Sequence, residues 1–283
     1  MPCSSATPSR SDRSGPLHRQ QSPGGALCSA GGPASTDLTG VVLAALIIAG
    51  WILSLGGCLI EAEHLPAIGV VIALLCRTFL HTGLFIVAHD AMHGSLFPGN
   101  RRLNHGIGRV ALGLYGCLDY DLCLTNHQRH HASPASRQDP DYHDGLRSHP
   151  LSWYIRFMGG YLSPLQMTLL VGLWAGGWMT LRSTGSGLIA SILLFWTLPL
   201  LLSSVQLFLF GTYLPHRGSL GTTLKTHEVR SWALPPLLSL LSCYHFGYHW
   251  EHHRYPQVPW HLLPRVHAIE TCSRKRHAQR YDD

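Results

Sequence analysis

Long uncharged apolar stretches dominate the hydropathy pattern of this chain. Residues 38–60 contain no charged side chain, and at about 1.5 Å of rise per residue a helix of this length crosses a hydrocarbon core of about 30 Å. A second apolar run covers residues 67–88 and is interrupted by Arg77 and His81. Because only a short polar link separates the two runs, we expect them to form a helical hairpin.

A second pair of apolar runs predicts a second hairpin. Residues 163–181 and 187–210 are free of charged residues, and residues 182–186 form the short link between them. Between the two hairpins, residues 101–124 and 153–161 are less apolar, so we expect them to lie at the membrane interface or in the protein interior. The sequence therefore predicts an all-α integral membrane protein with four transmembrane helices in two hairpins.

The ends of the chain differ from this apolar region. Residues 1–36 are rich in Ser, Pro, Gly and Arg and lack a periodic apolar pattern, which is typical of a disordered tail. We expect a membrane domain over residues 37–270 and a C-terminal tail over residues 271–283. The overall composition, 46% hydrophobic and only 13% charged, agrees with a membrane protein.

The distribution of basic residues predicts the orientation in the membrane. All Lys and Arg residues except Arg77 and Arg182 fall in segments that the two hairpins place on one face, and the positive-inside rule makes that face cytoplasmic. It holds the N-terminal tail, the region between the hairpins and the C-terminal segment. The net charge of +6 is spread over scattered residues, so we expect no nucleic-acid partner.

Histidine is the unusual residue in the composition. The 20 histidines outnumber the 15 acidic residues, whereas the eight cysteines form no C-x-x-C pair and indicate neither a structural zinc site nor a disulfide scaffold. The histidines cluster in one H-x-x-x-H pair, two H-x-x-H-H triplets and one isolated position after the fourth apolar run. These spacings place imidazoles on one helical face, pointing toward a common point.

The clustered histidines predict a metal centre on the cytoplasmic side. Nine of them exceed the three or four protein ligands of one zinc ion and suit two metal ions, and we infer two irons. The nine predicted ligands are His89, His93, His127, His130, His131, His216, His249, His252 and His253.

Several neighbouring side chains are candidates to support these ligands. His245 precedes His249 by four residues, and a supporting or packing role is favoured over metal binding, although the sequence leaves both open. His81 lies about two helical turns below His89, where we expect a packed or hydrogen-bonded histidine. Carboxylates that could accept the remaining N–H of a ligating imidazole are Glu251, Asp90, Asp119, Asp121, Asp139 and Asp141.

Four stretches of the sequence carry a specific family resemblance. They are residues 89–95 (HDAMHGS), 126–131, 208–216 and 244–264 (YHFGYHWEHHRYPQVPWHLLP). Together they resemble the membrane β-carotene ketolases of the bacterial and algal type, which belong to the fatty-acid-desaturase-like superfamily. The resemblance covers roughly residues 38–268.

The resemblance implies a fold and a reaction. Its fold has four long membrane helices that carry a cytosolic, histidine-rich di-iron cap, and the nine histidines match the metal-binding positions. Its reaction uses dioxygen to hydroxylate C4 of a β-ionone ring twice, after which loss of water leaves a ketone. The substrate is a carotenoid that enters from the membrane lipid, and the electrons come from a ferredoxin-type donor. Residues that could line the substrate path are Leu96, Phe97, Tyr161, Phe208 and Trp250.

Other functions share parts of this pattern. A carotenoid 3-hydroxylase or an acyl-lipid desaturase has the same ligands and membrane plan, and only the stretches around His216 and His253 favour the ketolases. A histidine-rich metal transporter would place ionisable residues in several membrane helices, whereas here Arg77 and His81 lie in the same one.

Overall fold

The computed structural model describes residues 37–61, 64–143, 148–182, 187–217 and 229–282, and regular secondary structure in these ranges is helical. The predicted N-terminal tail lies outside the described residues. The helices are α1 (Thr39–Glu61), α2 (Ala67–His93), α3 (Arg101–Gly116), α4 (Tyr120–Ala132), α5 (Pro150–Gly159), α6 (Pro164–Leu181), α7 (Leu188–His216), α8 (Pro236–Cys243), α9 (His249–Arg254) and α10 (Leu263–Asp282).

Three helices in the described part of the chain are long and apolar enough to cross a membrane. They are α1 with 23 residues, α2 with 27 and α7 with 29. Helix α6 has 18 residues and coincides with the predicted third span, but it is not among these three. The sequence therefore located all four long apolar helices, and membrane crossing by α6 stays a prediction.

Helix boundaries follow local sequence signals. Helix α2 ends at Gly94, which adopts the left-handed conformation (φ 71°) and donates its N–H to the carbonyls of Asp90 and Ala91; a glycine takes this conformation without the steric cost that other residues pay. Helix α4 begins after Asp119, whose carboxylate accepts hydrogen bonds from the backbone N–H groups of Asp121 and Leu122.

Polar side chains connect α1, α2 and α7 below the histidine region. Arg77 is fully buried and donates to the backbone carbonyls of Trp51 (2.6 Å) and Phe195 (3.0 Å) and to the hydroxyl of Ser54 (3.0 Å). The segment around Phe195, Leu193–Thr197, is π-helical. Arg77 therefore donates to a carbonyl within a π-helical segment of the neighbouring helix.

The remaining helices pack around the upper end of α2. Gly108 on α3 lets that helix approach α2 closely, because a Cβ there would lie only 2.8 Å from the Cβ of Ala91. The C-terminal ends of α2 and α7 and the helices α4 and α9 meet in one region, which contains the predicted site. Helix α10 continues without a break past residue 270, where the sequence placed the start of a C-terminal tail.

Candidate metal centre

Five of the predicted ligands form one group. Helices α2 and α4 each contribute an i, i+4 pair and α9 contributes one residue, and their candidate ligand nitrogens all lie within 4.8 Å of one another. The Nε2 atoms of His93 and His127 are 2.7 Å apart, and those of His131 and His252 are 2.9 Å apart. The five-histidine group consists of His89, His93, His127, His131 and His252.

The other four predicted ligands form a second group. It joins His130 of α4, His216 at the end of α7, and His249 and His253 of α9. The Nε2–Nε2 distances are 3.1 Å between His130 and His253, 3.2 Å between His216 and His249, and 3.0 Å between His249 and His253. We call these residues the four-histidine group.

The sequence suggested that the imidazoles of each triplet point toward one common point. In the structure, each triplet instead divides between the two groups. In α4, His127 and His131 belong to the five-histidine group and His130 to the other; in α9, His249 and His253 belong to the four-histidine group and His252 to the other. At about 100° per residue, positions i and i+4 lie about 40° apart, whereas i+3 and i+4 lie about 100° apart. Each short helix therefore serves two neighbouring groups.

The donor chemistry of both groups fits metal ions. Two nitrogens bound at right angles to one metal at about 2.1 Å lie about 3 Å apart, which matches the observed distances between the histidine nitrogens. Both ring nitrogens of His89 are buried and make no hydrogen bond within the described part of the protein, a costly arrangement unless another partner binds them. Neutral imidazole is a ligand for iron, zinc and copper alike.

Burial keeps most of these imidazoles neutral. Burial first, and the neighbouring histidines second, hold the pKa values of His127, His252 and His253 well below the usual range. The same two causes lower the pKa of His131 to about 2. These side chains therefore present lone pairs, and not positive charges, at neutral pH.

Asp139 orients one predicted ligand of the four-histidine group. Its Oδ2 accepts a hydrogen bond from His130 Nδ1 at 2.9 Å and another from the backbone N–H of Ala135 at 2.8 Å. Burial lowers the pKa of His130, but the hydrogen bond and negative charge of Asp139 raise it further, so the pKa lies above its ordinary value. A proton fixed on Nδ1 directs the Nε2 lone pair of His130 toward its group.

The other candidate carboxylates have different roles. Asp119 caps α4, and Asp121 forms an exposed ion pair with Arg109 at 2.7 Å. Glu251 contacts His267 Nδ1 at 2.6 Å and Ser231, so it connects α9 to α10 and does not orient a predicted ligand. The position of Glu251 among predicted ligands in the sequence therefore did not indicate its hydrogen-bond partner.

Asp90 and Asp141 lie nearer to the predicted ligands. Asp90 Oδ1 is 3.8 Å from His89 Nδ1, and its Oδ2 accepts the backbone N–H of Trp260 at 3.2 Å. Asp141 lies beside His130 and Asp139, with the nearest polar atoms within 4.8 Å.

His81 and His245, the two further histidines weighed in the sequence analysis, belong to neither group. His81 Nδ1 accepts a hydrogen bond from Trp51 Nε1 at 3.0 Å, and its Nε2 donates to the backbone carbonyl of Tyr115 at 2.7 Å. It is the hydrogen-bonded helix histidine that the sequence favoured. His245 adopts a positive φ of 65° and packs against Trp260 and Tyr248.

An apolar cavity adjoins both groups. Its wall includes His89 and His127 from the five-histidine group and His130 and His249 from the other. Tyr161, one of the residues suggested to line a substrate path, is part of the wall. The other four, Leu96, Phe97, Phe208 and Trp250, are not among the lining residues.

Sequence reasoning missed several lining residues, because their helices come together only in the fold. Phe85, Met92 and Phe246 supply apolar wall beside the histidines. Gln166 belongs to α6, and its Nε2 donates to the backbone carbonyl of Gly116 at the end of α3. No local motif around these residues signals a cavity.

Comparison with known proteins identifies the family. The fatty acid desaturase family profile matches residues 64–282. The chain is 36% identical over 241 residues to the "Beta-carotene ketolase" of Paracoccus sp. strain N81106, covering 82% of this chain and 93% of that protein. It is also 36% identical over 250 residues to the "Zeaxanthin 4-ketolase" of Chlamydomonas reinhardtii, covering 84% of this chain and 55% of that protein. The chain therefore belongs to the fatty acid desaturase family and, within it, to the β-carotene ketolases.

Proposed function

We propose that this protein is a membrane carotenoid ketolase that introduces 4-keto groups into β-ionone rings, converting β-carotene to echinenone and canthaxanthin. The observation that carries the proposal is the pair of adjacent histidine groups in the wall of an apolar cavity. The family membership and the names of the relatives agree with it.

The nine predicted histidines hold two iron ions in this proposal, one in each group. When bound, iron supplies the activation of dioxygen and the removal of hydrogen from C4, which is allylic and therefore easier to oxidise than C3. The protein positions the substrate ring and the ligand side chains. Phe85, Met92 and Phe246 provide apolar contact for the hydrocarbon ring, and Asp139 keeps the lone pair of His130 directed toward its group.

The same proposal includes four membrane crossings with the histidine cap on the cytoplasmic side. Both α2 and α7 end in ligand histidines, at His93 and His216, so both run toward the site. The chain must return to the opposite side before α7 begins at Leu188. Helix α6 ends seven residues before that point and supplies the return crossing. By the positive-inside rule, the distribution of basic residues supports a cytoplasmic position for the cap.

The reaction needs partners that follow from its chemistry. Each hydroxylation consumes one O2 and two electrons and releases one water, so two rounds and a dehydration produce one ketone. We propose a ferredoxin-type protein as the electron donor and the bilayer lipid as the source of the apolar substrate. Exposed arginines of the cap, including Arg129 and Arg137, would attract an acidic donor.

Expression in bacterial cells that accumulate β-carotene tests the proposal. Pigments are extracted and separated by chromatography with mass detection, and we expect products that gain one oxygen and lose two hydrogens per oxidised ring. His130→Ala should abolish them. His64→Ala, which changes an exposed histidine outside both groups, should leave them unchanged. Products hydroxylated at C3 and not at C4 would indicate a carotenoid 3-hydroxylase, and unchanged β-carotene with iron-loaded protein would contradict carotenoid oxidation.

A further inference from the structure

A buried hydrogen-bonded pair lies in the wall of the apolar cavity. The phenol of Tyr161 donates to Asp141 Oδ1 at 2.5 Å, and both residues line the cavity. Asp141 is only 7% exposed. A carboxylate and a phenol are unexpected in a cavity that otherwise suits a hydrocarbon, because buried polar groups carry a desolvation cost.

The pair is held rigidly at the metal end of the cavity. A carboxylate oxygen of Asp141 lies within 4.8 Å of a ring nitrogen of His130 and a carboxylate oxygen of Asp139. The backbone of Asp141 is fixed on both sides, because its N–H donates to Asp139 Oδ1 at 2.9 Å and its carbonyl accepts from Trp153 Nε1 at 2.8 Å. A ring placed beside the four-histidine group therefore also lies beside this pair.

The pair has unused capacity to accept hydrogen bonds. Within the described part of the protein, Asp141 Oδ2 accepts no hydrogen bond, and the oxygen of Tyr161 donates its proton to Asp141 and keeps a free lone pair. An unmodified β-ring has no hydrogen to offer either oxygen. A ring that carries a hydroxyl does.

We propose that Asp141 and Tyr161 bind the hydroxyl of the half-oxidised ring and so retain the 4-hydroxy intermediate for its second oxidation. This inference rests on the proposed ketolase function. In the second round the remaining C4–H becomes C4–OH, one oxygen of O2 enters the product and the other leaves as water, and the reductant protein supplies two electrons with two protons from solvent. The resulting diol loses water to give the ketone.

Retention of the hydroxylated ring distinguishes a ketolase, which oxidises the same carbon twice, from a hydroxylase, which oxidises it once. A single hydroxylation leaves an alcohol that is more polar than the substrate and is drawn toward the membrane interface. A hydrogen bond to a charged group gives a gain of about tenfold or more in affinity for the alcohol. The ring is then oxidised again at the same carbon before it leaves.

A double variant tests this role without leaving a buried group unpaired. Asp141→Leu with Tyr161→Phe replaces both partners by apolar groups of similar shape, which is close to neutral for stability. The matched control is Glu270→Leu with Tyr255→Phe, since this pair also has a phenol-to-carboxylate distance of 2.5 Å but lies outside the cavity wall. Iron content of each purified protein verifies that the metal centre is intact.

Two readouts are measured. In β-carotene-producing cells, the ratio of 4-hydroxy to 4-keto product should rise about tenfold in the cavity double variant and stay at the wild-type value in the control. In metal-free purified protein, tryptophan fluorescence quenching should show that the wild type binds a 4-hydroxylated β-ring carotenoid more tightly than β-carotene, and that the cavity double variant loses this preference.

The possible failures are distinguishable. If the wild type forms ketones while the cavity double variant keeps the wild-type product ratio and the same binding preference, the retention role is wrong and the ketolase function stands. If the wild type forms no oxidised carotenoid, the proposed function itself is wrong, and the inference falls with it.

Discussion

Helix α2 carries two buried histidines, His81 near its middle and His89 near its C-terminal end, in opposite surroundings. At His81, both ring nitrogens are hydrogen-bonded, one to Trp51 and the other to the backbone of Tyr115. Eight residues later, at His89, neither nitrogen has a hydrogen bond within the described part of the protein. Both side chains are buried to a similar extent, with 0% and 3% exposure.

This difference separates a structural histidine from one that we propose binds a metal ion. A buried polar group needs a partner, and the protein supplies partners for His81 from its own helices. For His89 the protein supplies other imidazole nitrogens instead, and in the proposed function a metal ion is the missing partner. Burial alone does not reveal which role a histidine has, whereas its hydrogen-bond partners do.

The largest expected effect follows from replacing His89, whose ring nitrogens have no hydrogen-bond partner within the described part of the protein. His89→Phe keeps a ring of similar size and removes both nitrogens, so we expect ketone formation to fall at least about a hundredfold, beyond the range found when only a supporting partner of a ligand is lost. Iron per chain should fall, while the thermal stability of the metal-free protein should change little. Unchanged iron content would show that His89 is not a ligand.

Asp139→Asn addresses a histidine that lies between the two extremes, since His130 has one bonded nitrogen and one directed at the other ligands. Losing the negative charge weakens the preference for a proton on Nδ1, and we expect metal affinity or activity to fall about 10–100-fold. Competition with a chelator measures this affinity. Asp121→Asn is the matched control, because Asp121 is an exposed aspartate paired with Arg109, and an equal loss in both variants would contradict the orienting role.

Arg77→Met tests whether a buried polar side chain of α2 stabilises the fold without contributing to metal binding. It removes three hydrogen bonds that join α1, α2 and α7, and we expect a loss of about 3 kcal/mol or more in stability because buried acceptors are left unpaired. Thermal unfolding in detergent measures the loss. Iron per folded chain should stay at the wild-type value, and a selective loss of iron would place Arg77 in the metal centre.

His81→Phe is the direct counterpart of His89→Phe and has the smallest expected effect. It leaves the indole N–H of Trp51 and the carbonyl of Tyr115 without their partner, which costs about 1–3 kcal/mol. Iron content and product pattern should match the wild type. If this variant loses iron and His89→Phe keeps it, the assignment of the two histidines is reversed.

The sequence was sufficient for features that depend on local periodicity. Apolar runs located α1, α2, α6 and α7 to within a few residues, with α7 extending further to His216. The spacing of the histidines selected the nine residues that the structure brings together. Metal binding by these residues stays a prediction.

Features that depend on how helices meet were not readable from the sequence. The division of each triplet between two groups depends on the position of α4 and α9 relative to α2 and α7. Glu251 follows two residues after a predicted ligand, yet it faces His267 on α10. Asp139 was one of five aspartates that the sequence did not distinguish, until its distance to His130 singled it out. The pairing of Asp141 with Tyr161 joins residues 20 positions apart.

The most direct test of the central claim is a metal count on the purified protein by plasma mass spectrometry, with the wild type, His89→Phe and His81→Phe prepared in parallel. Two metal ions held by nine histidines predict about two iron atoms per chain in the wild type and in His81→Phe, and a clear loss in His89→Phe. Zinc in place of iron, a single metal per chain, or equal iron in all three proteins would contradict the account.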